Sequence, residues 1–195
     1  MRFIFVIICL FAIGHSCYGQ AKKRVRRGHL TVTPGIDFAT MRSQDTNGTK
    51  VNFPAAVNWR LGASFEIPFR SRKWAFMIEP TYQQYKATSP YTLIYNSLET
   101  PIGFRRYFAV GPATALFADG MFVLDIPFNY SIEIAPRLNF VSSGARTNFT
   151  AGAGIVVRRF TLEYRFYSQR TSKDDTDSFI FNYNKRSIIV GFRLY

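Results

Sequence analysis

The chain has 195 residues, a formal net charge of +13 at pH 7, two cysteines and two histidines. This length fits one well-developed domain, and no Pro/Gly/Ser-rich linker divides it. Cys9, Cys17 and His15 lie in a leader that we expect to be removed, so disulfides are excluded and His29 alone remains for a histidine-based metal or catalytic site.

The N-terminal residues 1–19 predict a secretory signal peptide. Arg2 precedes an apolar stretch at 3–13, and a small-x-small ending follows at 17–19. The apolar stretch is too short to cross a bilayer as a helix. Residues 20–28 are expected to form a basic periplasmic tail. Lipidation of Cys17 is the alternative, although the three residues before it lack the expected aliphatic position.

The excess positive charge is concentrated in three stretches without acidic residues, at 21–28, 70–73 and Arg158-Arg159. An overall charge of this size prompts a nucleic-acid hypothesis. An exported protein rarely meets nucleic acid, so we do not expect that partner. A solvated basic tail and contact with anionic lipid headgroups are the two interpretations.

Beyond residue 28 the apolar residues recur with period two and no helical pattern is found, which predicts an all-β fold. Over 56–67 the alternation is complete, with Trp59 and Phe65 on one face and Arg60 and Glu66 on the other. Eight strands are predicted in chain order, at residues 30–40, 56–67, 74–85, 97–108, 115–125, 148–157, 160–168 and 186–195.

The connections between these strands differ in length. Short ones are predicted at 68–73, 109–114 and 158–159. Longer ones are predicted at 41–55, 126–147 and 169–185, with an intermediate one at 86–96. Tight turns at one end and long loops at the other are typical of outer-membrane barrels. We therefore predict an eight-stranded antiparallel up-and-down transmembrane β-barrel over 29–195, with both termini on the periplasmic side of a Gram-negative outer membrane.

A soluble barrel would show the same periodicity with its faces reversed. Lysine placement separates the two cases, because a water-facing strand surface normally uses lysine freely. The seven lysines are placed in the tail, the connections or strand ends, at positions 22, 23, 50, 73, 86, 173 and 185. On the polar face of the strands the basic residues are arginines, whose planar guanidinium suits fixed pairing with carboxylates in a narrow interior. The polar face is therefore predicted to point into the barrel.

The inward face predicts a charge network in the lumen. Its members are Asp37, Arg60, Glu66, Glu79, Glu99, Arg105, Asp119, Glu163, Arg165 and Arg193. Six acids and four arginines are close enough to balance for mutual pairing. An eight-stranded interior is just wide enough to be filled by side chains, so a plugged lumen is predicted, with a polar conduit as the alternative. No catalytic residue, metal ligand or cofactor is predicted.

The stretch FTLEYRFY predicts the register of one hairpin. If Arg158-Arg159 form a two-residue turn, Glu163 lies opposite Gly154, and Arg165 lies opposite Gly152. The glycines would leave room for the two long side chains. The turn is the weak point, because such turns prefer Asn or Gly with positive φ.

Aromatic residues on the apolar face predict a membrane girdle, with Trp59, Trp74, Tyr82 and Tyr164 facing outward. A soluble barrel would instead place them in a core. Terminal Tyr195 fits the aromatic C-terminus of such barrels, but its parity disagrees with the apolar set ending at Leu194.

At SLETPIGFRRYF (97–108) the sequence resembles the outer-membrane β-barrel family common in Bacteroidota. The matching residues are Leu98, Glu99, Pro101, Ile102, Arg105, Tyr107 and Phe108. The closing SIIVGFRLY and the leader are also similar, so the resemblance covers essentially the whole mature chain. It implies the fold, an outer-membrane location, contact with membrane lipids and insertion by the barrel-assembly machinery. PorT-like members of this family belong to a secretion apparatus.

These features predict a non-enzymatic integral outer-membrane protein with a structural, surface-interaction or envelope role. A narrow channel, a secretion-apparatus component and a secreted soluble lipid-binding barrel are the alternatives. An outer-membrane hydrolase is disfavoured, because such enzymes need a histidine at the external rim and His29 is predicted at the periplasmic start of the first strand.

Overall fold

The computed structural model describes residues 28–45, 48, 50–71, 73–87, 92–133, 146–173 and 179–194. The predicted signal peptide, the basic tail up to residue 27 and Tyr195 lie outside these ranges, and so do the central parts of the predicted long connections. Within the described ranges, no helix has the length and apolarity needed to span a bilayer.

The described residues form strands that pair antiparallel throughout. The segments are β1 (His29–Asp45), β2 (Lys50–Asn52), β3 (Ala56–Pro68), β4 (Trp74–Ile78), β5 (Thr81–Ala87), β6 (Thr92–Gly111), β7 (Thr114–Glu133), β8 (Arg146–Val157), β9 (Phe160–Tyr167), β10 (Arg170–Lys173) and β11 (Phe179–Arg193). Their ladder runs β11-β9-β8-β7-β6-β4-β3-β1, and β1 pairs back with β11. The β1–β11 pairing therefore closes the sheet into a ring.

The ring has eight barrel strands, because four of these segments are parts of two interrupted strands. β4 and β5 both lie between β3 and β6, and they are separated only at Glu79-Pro80. Proline has no N–H for the ladder, and the Pro80 carbonyl instead accepts a hydrogen bond of 3.0 Å from Ala63 N. β9 and β10 both pair with β11. The short β2 extends the hairpin beside β1. The predicted eight-stranded antiparallel barrel is confirmed.

Several strands are longer than predicted. β1 continues to Asp45, β6 begins at Thr92, β7 continues to Glu133 and β11 begins at Phe179. The predicted loop boundaries at 41–55, 86–96, 126–147 and 169–185 were therefore wrong. Both β6 and β7 have 20 residues, whereas about 9–11 cross the hydrocarbon layer. The extension of β7 continues the apolar/polar alternation, with Ile126 and Phe128 on the outward face, so period two could have revealed it. The extensions of β1 and β6 show no regular alternation, and period two does not reveal them.

The barrel has two distinct ends. The short-turn end carries the connections at 69–73, 112–113 and 158–159, together with the start of β1 and the end of β11. The far end carries the strand extensions. Successive hairpins of an up-and-down barrel alternate between these ends.

The predicted register of the 158–159 hairpin is confirmed. Gly152 pairs with Arg165, Gly154 with Glu163, and Val157 with Phe160. Arg158 supplies the positive φ that the turn needs, with a value of 55°. The Arg158 N–H also donates 2.8 Å to the Ala113 carbonyl, which ties this turn to its neighbour. Ladder pairing on both sides thus holds an arginine where Asn or Gly is normally favoured.

The apolar residues form the outer surface of the barrel. Trp59, Leu162 and Phe166 are 51%, 52% and 49% exposed, whereas Arg60 and Arg165 are 2% and 0% exposed. A soluble barrel needs the opposite arrangement, so that alternative is contradicted. Trp74 and Tyr164 also face outward, and Tyr82 lies half-buried between the rings of Trp59 and Phe128.

Candidate functional site: the charged barrel interior

The period-two pattern places most charged strand residues in the interior. Nine of the ten residues predicted for the lumen are buried: Asp37, Arg60, Glu66, Glu79, Glu99, Arg105, Asp119, Glu163 and Arg165. The tenth, Arg193, is half-buried near the short-turn end. Their contacts divide the interior into three levels along the barrel axis.

The level nearest the short-turn end is organised by Arg105. Its guanidinium lies 2.7 Å from the Asp119 carboxylate, its ladder neighbour, and 2.6 Å from that of Glu163 on β9. The Arg105 guanidinium also stacks 3.8 Å from the centroid of the Phe117 ring. Arg105 thus joins two acids that would otherwise repel each other at close range.

The middle level contains Arg165, Glu79 and Arg60. Arg165 contacts Glu163 at 2.5 Å and Glu79 at 2.8 Å, and the other Glu79 oxygen lies 2.9 Å from Arg60. Arg60 also donates 2.5 Å to the Tyr167 hydroxyl. Each carboxylate therefore meets more than one donor, which compensates for the loss of water around a buried charge.

The third level lies toward the far end and is organised by Lys185. Its ammonium is 2.5 Å from Glu99 and 3.6 Å from Asp37, and it donates 2.6 Å to the Gln83 side-chain oxygen. It also lies 3.9 Å from the centroid of the Tyr167 ring. Asp37 lies 3.9 Å from Arg60 and so links this level to the middle one.

Three interior charged residues were absent from the predicted network: Asp125, Arg170 and Lys185. Arg170 contacts both Glu99 and Asp125, the latter at 2.9 Å. Asp125 has the parity of Asp119 and could have been found. Lys185 was placed in a connection, which was wrong because β11 begins at Phe179.

Arg170 could not have been found from period two. Phe166 pairs with Arg186, but Arg170 pairs with Tyr183, so the break at 168–169 shifts the register by one residue. The inward face therefore changes from odd to even positions between β9 and β10. A β-bulge of this kind leaves no hydrophobic signature in the sequence.

The interior contacts form one unbroken chain in which acid and base alternate. In order from the short-turn end its members are Asp119, Arg105, Glu163, Arg165, Glu79, Arg60, Asp37, Lys185, Glu99, Arg170 and Asp125. Two links join strands on opposite sides of the ring: Arg165 with Glu79, and Lys185 with Glu99. The chain therefore crosses the lumen as well as following its axis.

Glycines on the inward face provide space for this chain. A Cβ atom on Gly152 would lie 2.5 Å from an Asp119 carboxylate oxygen and 2.7 Å from one of Glu163. One on Gly35 would lie 3.1 Å from the Arg60 side chain. Both glycines thus permit close approach of charged groups to the wall.

Tyrosines lie near both ends of the chain. Near the short-turn end the Tyr107 hydroxyl lies 2.6 Å and 2.7 Å from the two oxygens of Glu66, a buried acid outside the chain. Toward the far end the Tyr95 hydroxyl donates 2.5 Å to Asp125. Arg170 there lies 5.4 Å from the centroids of both the Tyr167 and Tyr183 rings. Bulky rings thus fill the space around the terminal ion pairs.

The charged side chains of the barrel interior are arranged to pair with one another. Among the described residues, no group of three or more His, Cys, Asp or Glu side chains is arranged to hold a metal ion. His29 lies at the start of β1, where it pairs in the ladder with Glu66 at the short-turn end. This is the end at which it was predicted.

The chain is similar to several solved structures. OprG, an outer-membrane protein of Pseudomonas aeruginosa, is similar with a TM-score of 0.58 and 13% identity, over 87% of this chain and 97% of that chain. Ail of Yersinia pestis has a TM-score of 0.44 and 12% identity, over 86% and 99% of the two chains. Neisserial surface protein A has a TM-score of 0.44 and 13% identity, over 83% and 96%.

At the sequence level, no family model and no curated protein matches the chain. Membership of the Bacteroidota family therefore stays a prediction. The closed ring, the apolar exterior and the likeness to OprG establish the fold of the chain. The chain has the fold of the small eight-stranded outer-membrane β-barrels.

Proposed function

We propose that the protein is a non-enzymatic integral outer-membrane barrel with a plugged lumen and a structural or surface-interaction role. The observation that carries this proposal is the unbroken chain of alternating charges inside a barrel whose exterior is apolar. Residues 1–19 would direct export, the barrel-assembly machinery would insert the domain, and residues 20–28 would lie in the periplasm.

The interior chain supports a plug rather than a channel. Arg165 and Glu79 bridge opposite walls at one level, and Lys185 and Glu99 bridge them at the next. These side chains are at most 2% exposed. A passing solute would have to break several buried ion pairs. Each broken pair leaves two charges without partners in a low-dielectric interior. This predicts no steady ion conduction.

The interior chain also supports a non-enzymatic role. Catalytic carboxylates are normally poised beside a substrate, whereas Glu79, Glu99 and Glu163 are each held by basic side chains within the wall. The part of the protein that interacts with other molecules would then be the far end, where β6 and β7 extend past the length needed to cross the membrane. We place surface interaction there, with the secretion-apparatus role of PorT-like proteins as one form of it.

Cell fractionation combined with bilayer recording tests this proposal. The protein should sediment with the outer membrane, resist extraction without detergent and migrate faster on gels when unheated than when boiled. Purified and placed in planar bilayers, it should give no stepwise conductance. Recovery in the soluble fraction would contradict the membrane assignment, and steady conductance steps would favour the channel alternative.

A further inference from the structure

The short-turn end of the barrel presents an arc of exposed basic side chains. Its members are Arg70, Lys73, Arg106, Arg158 and Arg159. The described residues of this end, at 28–30, 67–71, 73–74, 106–114, 157–160 and 192–194, include no acidic residue. Glu66, which pairs with His29 at the start of β1, is buried and held by Tyr107. The arc is therefore uncompensated at its surface.

The arc is continuous because neighbouring turns are hydrogen-bonded to one another. Tyr107 N donates 2.7 Å to the Lys73 carbonyl, which places the 69–73 turn beside the end of β6. The Arg158–Ala113 bond joins the next two turns, and Arg193 N donates 2.8 Å to the Arg159 carbonyl. The positive charges thus follow the rim of the barrel on rigid backbone.

Arg106 distinguishes this rim from an ordinary solvated charge cluster. It points outward between Phe104 and Phe108, which are 49% and 45% exposed, so it lies at the edge of the apolar surface. Its guanidinium lies 5.4 Å from the centroid of the Trp74 ring and 5.1 Å from that of Phe108. Aromatic contact orients the guanidinium plane and leaves its N–H groups available to an anion.

The position of Arg106 selects the chemistry of the partner. An anion bound there must sit where the apolar surface meets water, with its hydrocarbon part against Phe104 and Phe108. Phospholipid headgroups occupy that depth, and basic side chains near a membrane surface attract the anionic ones. A polyanion in solution has no hydrocarbon part to place against Phe104 and Phe108.

We propose that Arg106 and Lys73, with the rings of Trp74 and Phe108, form a headgroup site for an anionic phospholipid. The lipid belongs to the leaflet at the short-turn end, so this inference rests on the proposed insertion into a membrane. Arg106 contacts the phosphate and Lys73 adds a second positive charge beside it. The rest of the basic arc raises the local concentration of anionic lipid.

The two tryptophans of the chain provide the reporter. The Trp59→Phe variant leaves Trp74, next to Arg106, as the sole fluorophore. Reconstituted into phosphatidylcholine vesicles, this variant would be titrated with phosphatidylglycerol or phosphatidylcholine carrying brominated acyl chains, which quench fluorescence on contact. Brominated phosphatidylglycerol should quench Trp74 with a preference of about fivefold, the effect expected of one basic side chain at a membrane surface.

Arg106→Gln in the same background should remove most of this preference, and Lys73→Gln should reduce it in part. Arg186→Gln is the matched control, because Arg186 is also exposed and lies 5.0 Å from the centroid of the Phe166 ring, away from the short-turn end. It should leave the preference at Trp74 unchanged. Raised salt should weaken the preference more in the parent than in Arg106→Gln.

Equal quenching of Trp74 by the two brominated lipids would overturn the headgroup site while leaving the barrel in the membrane. A preference that survives both Arg106→Gln and Lys73→Gln, or that Arg186→Gln abolishes equally, would overturn the residue assignment. Absence of quenching by either lipid, at Trp74 and also at Trp59 in a Trp74→Phe variant, would instead contradict the proposed insertion into the bilayer.

Discussion

At the scale of single residues, the barrel depends on charges that are buried with several partners each. Arg165 is 0% exposed and contacts both Glu79 and Glu163. A lone charge in that position would be costly, so the surrounding residues are energetically coupled. Removing one member of a buried ion pair is therefore expected to destabilise the barrel more than removing both members.

The first prediction concerns this coupling. Arg165→Met should destabilise the barrel by about 3–5 kcal/mol, because Glu79 and Glu163 each lose a partner in the interior. Adding Glu79→Gln should recover part of that loss. Denaturant unfolding in lipid or detergent, followed by tryptophan fluorescence, measures both changes.

The matched control is Arg186→Met, which removes the same group from an exposed, outward position. It should change the free energy of unfolding by less than about 1 kcal/mol. Similar losses for Arg165→Met and Arg186→Met would show that the interior ion pairs do not stabilise the fold, and additive effects of Arg165→Met and Glu79→Gln would show that they are not coupled.

At the scale of elements, tight hairpins set the register, and one of them is strained. Arg158 has a φ of 55°, a conformation that costs a non-glycine residue about 1–2 kcal/mol. The ladder between β8 and β9 continues to Val157 and Phe160, directly next to the turn. Pairing in these strands therefore holds the turn in place.

The second prediction follows from this strain. Arg158→Gly should stabilise the barrel by about 1 kcal/mol, since glycine adopts positive φ without a steric penalty and the gain exceeds its entropic cost. Thermal or denaturant unfolding in the same lipid measures the change. Arg159→Gly is the control, because only Arg158 among the described non-glycine residues has positive φ. If Arg159→Gly stabilises as much as Arg158→Gly, the effect does not arise from backbone strain.

Sequence alone predicts the elements well where one face meets lipid and the other meets the interior. The strand over 56–67 and the pairing of Gly152 with Arg165 both emerge from period two. Period two fails over the far-end extension of β6, which has no regular alternation, whereas in β7 Ile126 and Phe128 continue the pattern and that extension could have been found. It also fails at the 168–169 break, which shifts the register and hides Arg170.

The interior charges show the same limit. Parity alone places Arg60 and Glu163 on the inward face, because alternation on their strands is uninterrupted. Parity cannot say which charge meets which, since the links from Arg165 to Glu79 and from Lys185 to Glu99 join strands on opposite sides of the ring. Those partners are set by barrel closure and stagger, which no local pattern encodes.

At the scale of the whole molecule, the barrel is an inverted globular protein. Most of its large apolar side chains lie outside, and its ion pairs form the centre together with a few buried apolar residues such as Met77, Phe117 and Ile189. Exposed apolar surface on this scale is not sustained in water, whereas the bilayer removes it from water. Contact with the membrane supplies the driving force for folding that a hydrophobic core supplies in soluble proteins. The plugged interior, the far-end extensions and the basic rim all depend on this placement of apolar residues outside and charged residues inside.

Collision accessibility of spin labels along β9 tests this arrangement most directly. Single cysteines would be introduced as Leu162→Cys, Tyr164→Cys and Thr161→Cys, labelled, and reconstituted into lipid vesicles. Labels at 162 and 164 should collide frequently with oxygen, which concentrates in the acyl region, and rarely with a water-soluble nickel chelate, whereas the label at the buried Thr161 should be shielded from both. Frequent collisions with the nickel chelate at 162 and 164 would contradict insertion into the bilayer, because the apolar face would then meet water instead of lipid.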